Sequence, residues 1–296
     1  MNTFFEKYAK REVSNQNFSL PLQHKTLITM QFFTQVTIPT SSWQIAYTDK
    51  ILMLGSCFTD NIAGKMRQHF LQVTANPFGT LYNPVSIARH IPDLLTRETD
   101  VVVITFGTAW VYVDKQTNKV VDNCLKRPAN DFNRRRLTID EIVSLWQPIV
   151  SRYADTRFIF TVSPIRHIKD GLHENQVSKG ILLQAVDQIV SLNTERIHYF
   201  PAYEIVLDEL RDYRFYASDM LHPSTTAVDY IWERLVSTYM TDRQTQNAMR
   251  ELHQLWLDLN HRPIHPDSEE TRLFETKTQE RKELLSRTYP WIKEYF

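Results

Sequence analysis

Residues 50–58 constrain the fold more than any other stretch of this chain. Ile51-Leu52-Met53-Leu54 runs unbroken into Gly55-Ser56, and Ile62, Met66 and Phe70 then recur at helical spacing. The run reads as a buried strand, and the period after it as an amphipathic helix. A serine at that junction sits at the carboxyl end of a strand and the amino end of a helix. Unpaired N–H groups and a partial positive charge collect there. Ser56 is therefore the candidate nucleophile, its hydroxyl expected to be exposed and any oxyanion beside it met by donors. Helix capping is the plainer role for such a serine.

The same alternation continues. The run 101–106, Val-Val-Val-Ile-Thr-Phe, is β-branched and continuous, as in a central parallel strand covered on both faces. Further strands are expected at 31–38 (an edge strand), 71–74, 157–162 and 197–200. Segments 110–113 and 119–121 are expected to pair as a hairpin, with a loop over 123–136. Asn83-Pro84 opens a helix with Asn as cap and Pro at its first position. Helices carrying Ile142 and Trp146, Leu182 and Ile189, and Val228 and Ile231 follow. Strands alternating with long helices imply an α/β fold, a three-layer α/β/α sandwich on a mostly parallel sheet. Ligands in such sheets bind beyond the carboxyl ends of the strands, where Ser56, Gly79, Gly107 and Arg166 all fall.

Three regions are expected: an extension over 1–29, loosely attached or preceding a translation start at Met30; the α/β/α domain over 30–240; and a helical appendage over 241–296. The appendage reads as an α-hairpin packed on the core or on a second subunit, which leaves a homo-oligomer open. Lys+Arg and Asp+Glu number 34 each, so no overall field recruits nucleic acid or an anionic membrane. The run Arg134-Arg135-Arg136 is either solvated or in touch with an anionic substrate. No apolar run approaches the ~20 residues of a membrane helix, and no apolar stretch follows Lys7, Lys10 and Arg11 as a secretory signal requires. Cys57 and Cys124 form neither a C-x-x-C pair nor a disulfide framework, which suits a reducing compartment. A soluble, cytoplasmic protein is the expectation. Only six glycines occur, and Gly55, Gly79, Gly107 and Gly171 lie at or just after expected strands, as if placed for a site.

Asp219-Met220-Leu221-His222-Pro223 precedes the helix of Val228 and Ile231. An acid three residues before a histidine can accept from one ring nitrogen and leave the other free to take a hydroxyl proton. Serine needs such a base to be a useful nucleophile. Asp-x-x-His alone is common; combined with a Gly-Ser turn after the first core strand it is far more specific.

With these residues in place the chain resembles the GSCFA family, whose name is spelled here Gly55-Ser56-Cys57-Phe58-Thr59, with Thr for the final Ala. Other matching stretches are Asn76-Pro77-Phe78-Gly79-Thr80, Phe106-Gly107-Thr108-Ala109-Trp110, Asn123-Cys124 and Ser163-Pro164-Ile165-Arg166-His167. That family resembles the SGNH (GDSL-like) hydrolase superfamily. The resemblance implies Ser56 as nucleophile, with His222 and Asp219 as partners. It also implies an oxyanion hole from the nucleophile's own N–H, a loop glycine matched by Gly79, and an asparagine. Two positions depart from the pattern. Gly55 stands where an Asp usually precedes the serine, and Thr108 stands near the expected asparagine. Gly107 and Thr108 or Asn123 are the candidates to substitute. Arg166 and His167 are candidates to hold a polar substrate.

Cys57 directly follows Ser56, and its side chain is expected to turn into packing. His167, His173 and His222 could face one cleft, but no H-E-x-x-H pattern supports a metal site, so none is assigned. The absence of a phosphate loop and of G-x-G-x-x-G argues against a nucleotide, and no cofactor is expected. The expected activity is a serine esterase or O-acyltransferase acting on a carbohydrate or other small polar ester. The rival is a binding protein on the same scaffold that has lost turnover.

Overall fold

The computed structural model describes residues 33–296, of which 35–296 form one compact unit. The readings for 1–29, and the suggested start at Met30, lie outside the described residues. Five parallel strands make the central sheet in the order β2-β1-β3-β6-β7. They are β1 (Ile51–Gly55), β2 (Val73–Ala75), β3 (Val101–Phe106), β6 (Arg157–Val162) and β7 (Ile197–Tyr199). A separate antiparallel pair, β4 (Trp110–Asp114) and β5 (Phe132–Arg136), projects after β3.

The apolar runs of β1, β3 and β6 conceal a period of two. Ile51, Met53, Val101, Val103 and Ile159 point into one core, and Leu52, Leu54, Val102, Ile104, Phe158 and Phe160 into the other. Two helical layers therefore cover the sheet, one on each face. The first holds α1 (Cys57–Gln68), α6 (Thr225–Tyr239) and α7 (Arg243–Leu259); the second holds α2 (Pro84–Leu94), α3 (Ile139–Arg152) and α4 (Leu172–Ser191). After β7 the chain makes a short turn of helix, α5 (Ala202–Glu204), continued as a π-helix over Ile205–Leu210.

Caps follow the sequence. The Asn83 side chain accepts from Ser86 N–H with Pro84 at the first helical position, and Thr138 with Glu141 forms a capping box on α3. Beyond α7 lies α8 (Glu269–Thr288), and a 3₁₀ turn over Pro290–Tyr295 ends the chain. This tail packs on the first core through Leu252, Leu255, Leu285 and Ile292. Trp291 Nε1–H and the Tyr295 hydroxyl donate to the Phe70 and Leu71 carbonyls at 3.0 and 2.6 Å.

Two expected strands differ. Residues 33–38 form no strand among the described residues, and the Val36 N–H and carbonyl are taken by the side chains of Glu209 and Arg234. Residues 119–121 meet β4 only at the single bridge Val113–Val120. The true partner is β5, Asn133-Arg134-Arg135-Arg136 included, which charge disguised as loop. Arg134 lies over the Trp110 ring at 4.2 Å, so the stripe of cations packs on aromatic faces across the pair.

Gly55 has φ +150°, and a Cβ built there would stand 2.3 Å from the Thr105 carbonyl oxygen on β3. Gly64, within α1, has open space around it. Gly55→Ala is expected to lose about 3 kcal/mol or more of stability through strain and overlap with backbone. Gly64→Ala is expected to gain up to about 1 kcal/mol. Denaturant midpoints of the two variants check both.

Candidate active site

The turn after β1 is held from several sides. Gly55 N–H donates to Asn76 Oδ1 at 2.9 Å, Leu81 N–H donates to the Gly55 carbonyl at 2.9 Å, and Asn76 Nδ2 donates to Asp60 at 2.9 Å. Asn76 itself takes a left-handed φ of 43°, which asparagine tolerates better than most residues. Ser56 caps α1. Its Oγ accepts from Phe58 N–H at 3.3 Å and donates to Ser163 Oγ at 2.9 Å, and the residue is 0 % exposed. The hydroxyl expected at the cleft is thus turned inward, and neither of its bonds is to His222.

The residue that meets the histidine is Cys57. His222 Nε2 lies 3.5 Å from Cys57 Sγ, and His222 Nδ1 lies 2.6 Å from Asp219 Oδ2. Donation from Nδ1–H to the carboxylate leaves Nε2 as the acceptor for the thiol proton. Cys57 packs against the first core, as expected, and is half-buried, with its sulfur toward His222. Burial pushes the thiol pKa up. Its own N–H and the Tyr82 hydroxyl, which both favour the thiolate, act against that, while Asp60 and Asp219 add to it.

Asp219 and His222 share a loop that bonds largely to itself. Asp219 Oδ1 accepts from the Leu221 and His222 N–H groups at 2.9 and 3.0 Å, and Ala217 N–H donates to the His222 carbonyl at 2.7 Å. Those amide donors, with the His222 ring, hold the Asp219 carboxyl down at about 2. Arg166, expected to bind substrate, braces this loop. Its N–H donates to the Leu221 carbonyl at 3.2 Å, and its guanidinium lies over the Tyr216 ring at 4.0 Å.

The expected oxyanion donors are engaged elsewhere. Gly79 N–H donates to the Asn76 carbonyl at 2.8 Å, closing a turn. Gly107 and Thr108 N–H both donate to the Tyr82 carbonyl, at 2.8 and 2.9 Å, and Thr108 Oγ1 lies 3.1 Å from Ser178 Oγ. Asn123 is exposed, with its Oδ1 accepting from Leu125 N–H at 2.9 Å. Cys57 N–H, by contrast, has no acceptor other than its own sulfur among the described residues.

Tyr82 and His167 connect this cluster to a cavity of ≈ 410 Å³ that runs out along β4 and β5 and is also lined by Thr108 and Asn123. The His167 imidazole is held neutral, its pKa lowered to about 3 by burial first and then by Lys179 and His222. Its Nε2 is enclosed and has no partner among the described residues. His173 does not join it: no group of three or more His, Cys, Asp or Glu among the described residues could hold a metal ion.

Two participants were given no role from the sequence. Ser163, just after β6, accepts the hydrogen bond of the Ser56 hydroxyl. Lys179, on α4, is 1 % exposed and donates to the Gly107 and Ser163 carbonyls, both at 2.6 Å. It ties the ends of β3 and β6 beneath the cluster. Its position on the helix face of Leu182 and Val186 was the available signal, since a lysine there must find acceptors inside.

A layered parallel sheet with a thiol, an imidazole and a carboxylate in series at the carboxyl ends of its strands defines an α/β/α protein with a built polar site. The sequence matches the GSCFA family over residues 50–99 and 93–235, and the chain belongs to that family. No curated protein matches it. Similar solved structures include a GDSL-like lipase from Bacteroides thetaiotaomicron, at 13% identity over 68% of this chain and 89% of that one, with TM-score 0.43. An acetylxylan esterase from Geobacillus stearothermophilus is 12% identical over 66% and 95%, also with TM-score 0.43. A G-D-S-L family member from Veillonella parvula is 9% identical over 65% and 99%, again with TM-score 0.43. Likenesses this distant leave the chain's activity to be argued from its own residues.

Burial lowers the Lys179 pKa to about 7, against about 10.4 in an unfolded chain. Between those values unfolding takes up a proton, so this group's contribution to stability rises with pH, by at most about 1.4 kcal/mol per unit. The stability difference between wild type and Lys179→Met is expected to shift in favour of wild type from pH 7 to 9.5. Urea midpoints at each pH check it.

Proposed function

We propose that this protein transfers acyl groups from esters, with Cys57 as nucleophile, His222 as general base and acid, and Asp219 orienting His222. The observation that carries the reading is the 3.5 Å approach of His222 Nε2 to Cys57 Sγ, backed by the 2.6 Å bond from His222 to Asp219. Apo geometry of this kind tightens when substrate binds.

In the first half-reaction Nε2 takes the thiol proton and sulfur attacks the acyl carbon. The oxyanion is met by Cys57 N–H at the amino end of α1 and by the Tyr82 hydroxyl. Collapse breaks the ester C–O bond, and the departing alkoxide takes the proton from Nε2, leaving a thioester. In the second half an acceptor hydroxyl gives its proton to Nε2 and attacks the thioester. The sulfur leaves and regains the proton from His222. Water as acceptor makes an esterase, and an alcohol such as a sugar hydroxyl makes an O-acyltransferase. Because burial raises the thiol pKa, the resting nucleophile is a thiol, and the base must act in each cycle.

Incubation with p-nitrophenyl acetate, followed by peptide mass spectrometry, is expected to show the acetyl group on Cys57. Cys57→Ala removes the adduct and Ser56→Ala keeps it. His222→Ala slows its formation by about 10²–10⁴. An acetyl group on Ser56 instead would restore the serine mechanism. No adduct on either residue, with measurable glycan binding, would favour a binding protein.

A further inference from the structure

Resting on the acyl-transfer reading, we propose that the cavity beside Cys57 selects esters bearing an anionic group. Lys169 meets the charge, and the faces of Trp110, Tyr112 and Phe132 take the adjoining apolar part.

The cavity adjoins the thiol through its wall: Tyr82 lines it and hydrogen-bonds to Cys57, and His167 lines it and interacts with His222. The charges in that wall are unequal. Its acid is Asp122, already bonded to Arg89 at 2.7 Å and to His90 at 2.8 Å. Its cations are Arg127, Arg134 and Lys169. Arg127 is matched by Asp114 at 2.5 Å and by Asp131 at 3.2 Å. Arg134 lies over Trp110 and Tyr112 at 4.2 and 5.4 Å. Lys169 donates to the Tyr112 hydroxyl at 2.8 Å and makes no ion pair among the described residues, so its charge is available to a ligand. The remaining titratable groups of the wall, Tyr82, Tyr112, Cys124 and His167, supply no carboxylate to cancel it. A cation at the edge of an aromatic cleft favours anions in the free ligand and in the bound state alike.

Cys124 lies in the same wall, which supplies a probe that does not depend on His222. Folded protein is treated with iodoacetate, which is anionic, or with iodoacetamide, which is neutral, and each cysteine is read separately by peptide mass spectrometry. At Cys124 the iodoacetate-to-iodoacetamide rate ratio is expected to exceed that of the same cysteine in urea by about threefold or more. The excess should shrink in Lys169→Gln, reverse in Lys169→Glu and fade in high salt, while Lys115→Gln, outside the cavity, keeps it. Equal ratios in folded and unfolded protein would overturn the anionic preference and leave the acyl-transfer reading standing. Labelling of Cys124 with the expected ratio, but no acetyl group on Cys57 from p-nitrophenyl acetate, would uphold the anion site and remove the thiol nucleophile. No labelling of either cysteine by either reagent would overturn the proposal outright, since such a cavity would admit no substrate.

Discussion

The architecture of the site follows from one hydrogen-bonded cap. Ser56 closes the amino end of α1 by accepting from Phe58 N–H, and its own proton goes to Ser163 across the end of the sheet. Those two bonds leave the serine no freedom to face solvent. They also set the direction of the next side chain, because the first helical residue projects away from the cap. Cys57 therefore opens toward the loop of Asp219 and His222.

Around this junction the polar groups are bonded in layers. Asn76 holds Gly55 and Asp60, Tyr82 receives the amides of Gly107 and Thr108, and Lys179 collects the carbonyls at the ends of β3 and β6. Among these bonds, those of the Gly107 and Thr108 amides use groups that the family resemblance would assign to the oxyanion. What remains unspent is the N–H of Cys57, at the positive end of a helix dipole. The histidine loop is equally self-sufficient, with Asp219 serving its own backbone with one oxygen and the imidazole with the other.

Much of the fold was legible in the residues themselves. Continuous apolar runs marked β1, β3 and β6, Asn83-Pro84 marked the start of α2, and Asp-x-x-His marked the loop that pairs Asp219 with His222. Two features were not. The strand β5 is written almost wholly in asparagine and arginine, and its pairing with β4, with Arg134 and Arg136 over the Trp110 ring, is a tertiary contact that no local apolar pattern announces. The neighbour of the imidazole was the other, Cys57 rather than Ser56, since a Gly-Ser turn says nothing about which of two adjacent side chains looks outward.

Sequence alone determined the layered α/β/α class, the strand-turn-helix at Gly55 and the carboxylate–imidazole pair. Each depends on contacts between residues a few positions apart, or on periodic burial that any partner layer would satisfy. Tertiary structure decided that sulfur and not oxygen meets the imidazole, that the expected amide donors are consumed, and that a cationic aromatic cleft adjoins the site. Those outcomes depend on Ser163, Tyr82, Lys179 and Lys169, which lie tens of residues or more from Cys57. Only the folding of the sheet brings them to one edge, and no local pattern encodes that meeting.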